Sequence, residues 1–290
     1  MLSALVFVLL GLTSAMAEPQ RVTVVLSETG GSYQAFGDLL RDKLQASGSE
    51  LSIGHVGDLL RQGDLYIAVG MKAAVELADR EAPVLNVFIP KSGHDRLLLE
   101  SRRRGTSYSA IYLDQPPERQ VALLRAVLPH VRKVGVLYSD PPPELPSVRK
   151  LLADSGLELN ERKLDQRPLN DALESVLEES DVLMVLPDAS VYNPGTIRNI
   201  LLTAYRKQIP LVGISQAYVR AGALCAVYSK PEQIAEQAAA MIRRYAESGR
   251  LSAAQYPAEF EVSVNMQVAR SLDLRIKDAA MLRAEVRGKP

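Results

Sequence analysis

Three short segments of this chain recur, in the same order, in its second half, and that repetition limits the fold more than any other feature. Arg21-Val22-Thr23-Val24-Val25-Leu26-Ser27-Glu28 is matched by Lys133-Val134-Gly135-Val136-Leu137-Tyr138-Ser139-Asp140. Both run from a basic residue through an apolar stretch to a serine and an acid. Asp64-Leu65-Tyr66-Ile67-Ala68-Val69-Gly70 is matched by Asp181-Val182-Leu183-Met184-Val185-Leu186-Pro187. Ala82-Pro83-Val84-Leu85-Asn86-Val87-Phe88-Ile89 is matched by Ile209-Pro210-Leu211-Val212-Gly213-Ile214-Ser215. The spacings are similar but unequal, so the loops differ while the plan persists.

The repeated segments predict strands at Val22–Leu26, Leu65–Val69, Val84–Ile89, Val134–Tyr138, Val182–Leu186, Leu211–Ile214 and Ala223–Tyr228. They are rich in Val, Ile and Leu without strict alternation, as strands covered by helices on both faces are. Amphipathic stretches lie between them, at Tyr33–Gln45, Met71–Arg80, Glu118–Leu128, Pro194–Lys207 and Glu232–Glu247. Strands alternating with helices make βαβ units and a parallel sheet. The expected fold is therefore α/β, with two Rossmann-like lobes. In open α/β sheets the ligand sits outside the carboxyl ends of the strands. Two such lobes facing one another make a cleft, and hinge closure around a ligand is the behaviour of that arrangement.

The 290 residues are enough for two lobes, each with its own core. Lys+Arg and Asp+Glu number 34 each, so nothing favours a nucleic-acid partner, whose footprint is a basic face. The single cysteine, Cys225, excludes an intrachain disulfide and a cysteine-cluster metal site. Leu2 to Leu12 is almost wholly apolar, and Ala15-Met16-Ala17 precedes the polar Glu18-Pro19-Gln20. That pattern predicts a secretory signal peptide over residues 1–17, too short for a spanning helix, and a mature protein in the periplasm. No Lys or Arg follows Met1, and no Cys stands just after the apolar run to carry a lipid anchor.

At Lys133–Ser139 (KVGVLYS), Asp181–Asn193 (DVLMVLPDASVYN), Ile209–Tyr228 (IPLVGISQAYVRAGALCAVYS) and Phe260–Leu274 (FEVSVNMQVARSLDL), the chain resembles the periplasmic substrate-binding components of ABC transporters with the type I binding-protein fold. More narrowly, it is similar to the uncharacterised ABC-type transport system periplasmic components, some relatives of which bind aromatic amino acids. The resemblance is firmer in the second half. In the first half, Pro90-Lys91-Ser92-Gly93-His94-Asp95 and Gly105–Tyr112 depart from the usual small-Asp-Pro and Gly-Asn-Val-Thr-Gly loops. The resemblance implies a three-crossover hinge near Asp114–Pro117, Ser229–Pro231 and Gln255–Ala258. The lobes would then be residues 18–115 plus 230–255, and 116–229 plus 256–290. It also implies a small-molecule ligand, an ABC permease in the inner membrane as partner, and a monomer.

Candidate ligand-binding residues follow from the strand ends. Tyr138 and Ser139 end a parallel strand and are expected to face the cleft; Ser139 can bind a carboxylate or simply begin the turn before Pro141. Ser27 and Glu28 are the counterparts in the first half, with Glu28 either gripping an ammonium group or lying exposed. Asp188 is placed to pair with a cationic group, and Tyr192 to stack on a flat ligand. Asn193, before Pro194, reads as a helix N-cap or as a ligand contact. Ser215, Gln216 and Tyr228 stand at further strand ends, and Asp114, with Tyr112, at the first crossover. Gly70 with Lys72, and Pro90 with Lys91 and His94, complete the set; the lone basic residues are read first as solvated positions. Arg102-Arg103-Arg104 fits a helix C-terminus, where the dipole favours cations.

No catalytic residue, metal or cofactor is expected. Gly213-Ile214-Ser215-Gln216-Ala217 lacks the second glycine of a nucleophile elbow, and no histidine follows His130 to serve it. Gly30-Gly31 matches neither a dinucleotide nor a phosphate-binding loop, and His55, His94 and His130 lie too far apart to suggest zinc. The function expected is solute capture for an ABC-type importer. A periplasmic ligand sensor or accessory protein signalling to a membrane partner is the alternative.

Overall fold

The computed structural model describes residues 21–45, 49–101, 107–165 and 168–288. The expected signal peptide and Arg102–Arg104 lie outside the described residues. The first half folds as β1 (Arg21–Leu26), α1 (Gly31–Gln45), β2 (Glu50–His55), β3 (Leu65–Val69), α2 (Met71–Glu76), β4 (Val84–Ile89), α3 (Lys91–Glu100) and β5 (Tyr108–Tyr112). The second continues as α4 (Pro117–Val127), β6 (Lys133–Tyr138), α5 (Leu145–Asp154), β7 (Glu158–Lys163), α6 (Leu169–Glu178), β8 (Val182–Met184), α7 (Ile197–Arg206), β9 (Leu211–Gly213), α8 (Gln216–Ala221) and β10 (Cys225–Tyr228). Four elements close the chain: α9 (Pro231–Ser248), β11 (Glu261–Val264), α10 (Met266–Ser271) and α11 (Ala279–Arg287).

The strands form two sheets, β2-β1-β3-β4-β5 and β11-β10-β9-β8-β6-β7. Apart from the antiparallel edge strand β11, every ladder is parallel. Read from β1 and from β6, the orders coincide, so β1, β3 and β4 correspond to β6, β8 and β9, the three repeated segments. The correspondence extends to hydrogen bonds. Asp64 accepts from the N–H of Arg21 and donates its own N–H back to Arg21 O. Asp181 does the same with Lys133. In each repeat the acid therefore locks the start of the third strand to the start of the first.

Each sheet is buried on both faces, which is why its central strands carry apolar residues at every position. In the first sheet Val24, Leu26, Ile67 and Val69 pack toward Phe36, Leu40, Ala238 and Ile242, while Val25, Tyr66 and Ala68 pack toward Ala73, Leu77 and Leu97. In the second, Val134, Val136 and Met184 face Leu124 and Val148, while Leu137, Leu183 and Val185 face Leu173, Val176 and Ile200.

The chain passes between the sheets three times. It leaves β5 through residues 113–116, then enters α4, which packs on α5, α11 and β10. It leaves β10 through residues 229–230 into α9, which lies along α1. Residue Gln255 bridges Ile111 beside β5 before the chain returns to β11. Gln115 and Arg119 bind these passages together. Gln115 Nε2 donates to Ser229 Oγ at 2.9 Å, and Arg119 donates to Gln115 Oε1 and to Pro257 O. No helix among the described residues is long and apolar enough to cross a membrane.

Candidate functional site

The region where the two sheets meet is built from the carboxyl ends of their strands. Beyond β4, Pro90 starts α3, and Lys91 N–H donates to Asp114 Oδ2 at 2.5 Å. This bond fixes Asp114, in the first crossover, against the first sheet. Asp114 is 6 % exposed. Loss of hydration is the main reason its acid is pushed up to about 7, with the Glu144 charge adding to the effect and Lys91 opposing it. Glu144 stands beyond β6 at the entry to α5, and its charge helps to raise the pKa values of Tyr112 and Tyr256. Burial likewise raises its pKa.

A cavity of about 170 Å³ lies beside Asp114. Asp114 and Gln115 of the first crossover wall one side, and Pro187, Ser215, Tyr218 and Val227, at the ends of β8, β9 and β10, wall the other. Apolar side chains surrounding a few fixed polar groups are the usual make-up of a small-molecule site. Among the described residues no group of three or more His, Cys, Asp or Glu is placed to hold a metal ion.

A family model described as ABC transporter substrate binding protein matches residues 105–286. The chain belongs to that family. Solved structures agree on the fold. The ABC domain in complex with L-Trp from Streptococcus pneumonia is 16% identical, with a TM-score of 0.68 over 91% of this chain and 98% of that one. A conserved domain protein from Vibrio cholerae is 21% identical, with a TM-score of 0.67 over 92% and 98%. The ligand-free, open form of a substrate-binding protein with adhesive properties from Clostridium difficile is 15% identical, with a TM-score of 0.67 over 89% and 96%. No curated protein matches the sequence at a significant level. The architecture is the type I periplasmic binding fold, and the family is one of binding proteins rather than enzymes.

Within this substrate-binding protein the residues singled out from sequence divide by what their side chains do. Asp114 and Ser215 meet in the cavity, where Ser215 also caps α8 by accepting the Tyr218 N–H at 3.4 Å. Ser27, Gly70, Lys72 and Glu28 come together at the ends of β1 and β3, but their bonds are mutual. Ser27 Oγ accepts from Ala73 N–H at 3.0 Å, and exposed Lys72 and Glu28 pair at 3.1 Å. Gly70 has φ 85 and ψ 170, and a Cβ there would lie 2.8 Å from both Ser27 Oγ and the Tyr33 ring. Lys91 uses its ammonium on Asp95.

Several of the other candidate side chains are buried or have partners within the chain. The Tyr138 hydroxyl, expected at the cleft, donates to Glu161 on β7 at 3.0 Å. Ser139 donates N–H and Oγ–H to Asp188 Oδ2 at 2.6 and 2.7 Å, so neither residue offers its polar group freely. Asp188 Oδ1 accepts from Ser190 and Val191, tying off the turn after β8. Tyr192 is 6 % exposed and belongs to the apolar core of the second lobe, so it presents no stacking face. Asn193 caps a turn rather than α7: its Oδ1 accepts from Gly195 N–H, and the helix begins only at Ile197. Gln216 is exposed and accepts from Arg220; Tyr228 is half-buried beside Glu261. His94 is not a surface base. It is 1 % exposed and stacks on Tyr108 at 5.3 Å, and burial lowers its pKa to about 4.

Gln115 and Tyr218, which line the cavity, were not among the candidate residues. Glu144 follows three prolines, a context that reads as solvated loop, yet its Oε1 is out of contact with solvent.

Proposed function

We propose that this substrate-binding protein is the solute-capturing component of an ABC-type importer, exported through cleavage after residue 17 and acting in the periplasm as a monomer. Its two lobes, residues 18–115 plus 230–255 and residues 116–229 plus 256–290, close on one small polar or aromatic solute and present the closed form to a permease in the inner membrane. The observation that carries this reading is the cavity at the ends of β8, β9 and β10, walled by the crossover residues Asp114 and Gln115. A ligand there touches the segment that bends on closure as well as the second lobe, so binding and closure are coupled through the same residues. Amino acids are the first solutes to test, because the Streptococcus structure was solved with L-Trp.

The test is a thermal-unfolding screen of the purified protein against amino acids, sugars, nucleosides and short peptides. A ligand of the native state at a hundred times its Kd stabilises by about 2.7 kcal/mol. For a chain of this size that raises Tm by roughly 5–10 °C. A flat response across the whole panel refutes solute capture.

A further inference from the structure

A proline stands in or beside each of the three crossovers: Pro116 and Pro117 in the first, Pro231 after the second and Pro257 in the third. Each pyrrolidine ring fixes one backbone angle, so these passages bend less freely than ordinary loops. Side chains then tie the passages to one another. Arg119, on α4, donates to Gln115 Oε1 at 2.6 Å, to Pro257 O at 3.1 Å and to Ala258 O at 3.4 Å. Gln115 Nε2 donates to Ser229 Oγ at 2.9 Å, and Ser229 Oγ–H donates to Glu259 O at 2.6 Å. The bonds close on themselves, from the first crossover to the second, from the second to the third, and from the third back to the first through the guanidinium. A guanidinium suits this position because it offers several donors in one rigid plane, and the Phe260 ring, 4.2 Å from the guanidinium carbon, supports that plane. From the side of the first sheet, Gln237 of α9 grips the third crossover with both ends of its amide, donating to Tyr256 O at 3.1 Å and accepting from Ala258 N–H at 2.8 Å. Gln115 is 3 % exposed, uses both ends of its own amide in the ring, and also lines the cavity.

We propose that Arg119, Gln115 and Ser229 make the three crossovers a single hinge that turns as one unit, with Arg119 as the positioning residue at its centre. Three separate passages, each with its own backbone freedom, would let the two sheets rock about several axes. The ring removes that freedom, because a bend in any one passage strains its bonds to the other two. Gln115 is both a link of the ring and a wall of the cavity, so the shape of the cavity changes with the hinge angle. This coupling belongs to the chain without solute and goes beyond the capture of any particular molecule.

Hydrogen exchange read by mass spectrometry, on the full chain without solute, compares wild type with Arg119→Met and Ser229→Ala. The first variant keeps an apolar stem over Phe260 and removes the donors; the second is a small change at a half-buried site. Ser229→Ala breaks the ring at the second crossover, yet the expected change lies at the other two. The N–H groups of Tyr112 and Gln255, which bond Gln255 O and Ala110 O, should exchange roughly tenfold faster, the ratio that loss of one hydrogen bond gives. Both substitutions together should add little to Arg119→Met alone, since either one opens the ring. Spin labels on Thr29→Cys and Asp140→Cys, exposed beyond β1 and β6, report the spacing of the two sheets, and buried Cys225 takes no label. The distance distribution is expected to be narrow in the wild-type background and broader in both variants. Faster exchange confined to the peptide around the substituted residue overturns the single hinge, and so does a distribution of unchanged width. If Arg119→Met does not fold, Ser229→Ala decides by the same two measurements.

Discussion

Replacing Asp188 by alanine separates a scaffold residue from a ligand residue. Its carboxylate accepts four bonds: from Ser139 N–H at 2.6 Å, Ser139 Oγ–H at 2.7 Å, Ser190 N–H at 2.9 Å and Val191 N–H at 3.3 Å. Hydrogen bonds to a charged group contribute about 1.5–3 kcal/mol each when buried. Asp188 is half-buried, and the amide of exposed Ser190 can turn to water, so the two short bonds to Ser139 carry most of the effect. The loss expected for Asp188→Ala is about 3 kcal/mol, or a fall in Tm of roughly 6–12 °C. Ser139→Ala removes only the hydroxyl bond and is expected to cost about 1 kcal/mol. The double variant should cost little more than Asp188→Ala alone, because the two substitutions delete the same contact. Thermal unfolding followed by circular dichroism measures all three, alongside the stabilisation conferred by whichever solute the screen identifies. The scaffold assignment fails if Asp188→Ala leaves Tm within about 1 °C of wild type and abolishes solute stabilisation.

Further outcomes follow from the same geometry. Gly70→Ala forces an L side chain into backbone angles that only glycine adopts readily, at about 1–3 kcal/mol, and drives its Cβ into Ser27 and Tyr33, at about as much again. Gly57→Ala, with φ 86 and no atom within 4 Å of its Cβ, should show the backbone cost alone, and equal urea midpoints for the two variants would refute the steric part. His94 and Asp114 give stability opposite dependences on pH. His94 has its pKa lowered from 6.5 to about 4, so the unfolded chain binds more protons between those values. Its contribution is therefore present above pH 6.5 and lost as pH falls toward 4. Asp114 has its pKa raised from 3.8 to about 7 by burial and by Glu144 and Asp95, against Lys91 and its N–H. The folded chain then binds more protons, and stability falls by about 1 kcal/mol per pH unit from 4 to 7. His94→Phe should accordingly gain on wild type as pH drops below 6, and Asp114→Asn should gain on it as pH rises toward 7. Differences in unfolding free energy that stay flat across pH 4–7 for both variants would refute these assignments.

The repeat was legible because strands covered on both faces must be apolar throughout, and such runs are hard to imitate. Edge strands escaped for the converse reason. β2 (ELSIGH) and β7 (ELNERK) have one side open, so their mixed composition resembles loop. β5 was hidden in a stretch read as a binding loop, although all five of its residues are buried. The helix expected at Pro194–Lys207 starts three residues late, because Asn193 and Thr196 spend their side chains on the turn before it.

The site was less legible than the fold, and the repeat itself explains why. Ser27 and Ser139 stand at the same place in the two halves, which suggested paired ligand contacts. Each instead braces the end of its first strand to the segment after the third: Ser27 through Ala73 beyond β3, Ser139 through Asp188 beyond β8. Asp64 and Asp181 brace the opposite ends of the same strands. A residue type that recurs in both halves answers a demand that both halves share, and closing a βαβ unit is such a demand. A bound molecule is not symmetric about the hinge. The residues that hold it are free to differ between the lobes, and they belong where the lobes meet. Asp114 and Gln115, in a crossover outside the repeated segments, line the cavity. Repetition in the sequence marks the frame, and the crossover residues that line the cavity lie outside it.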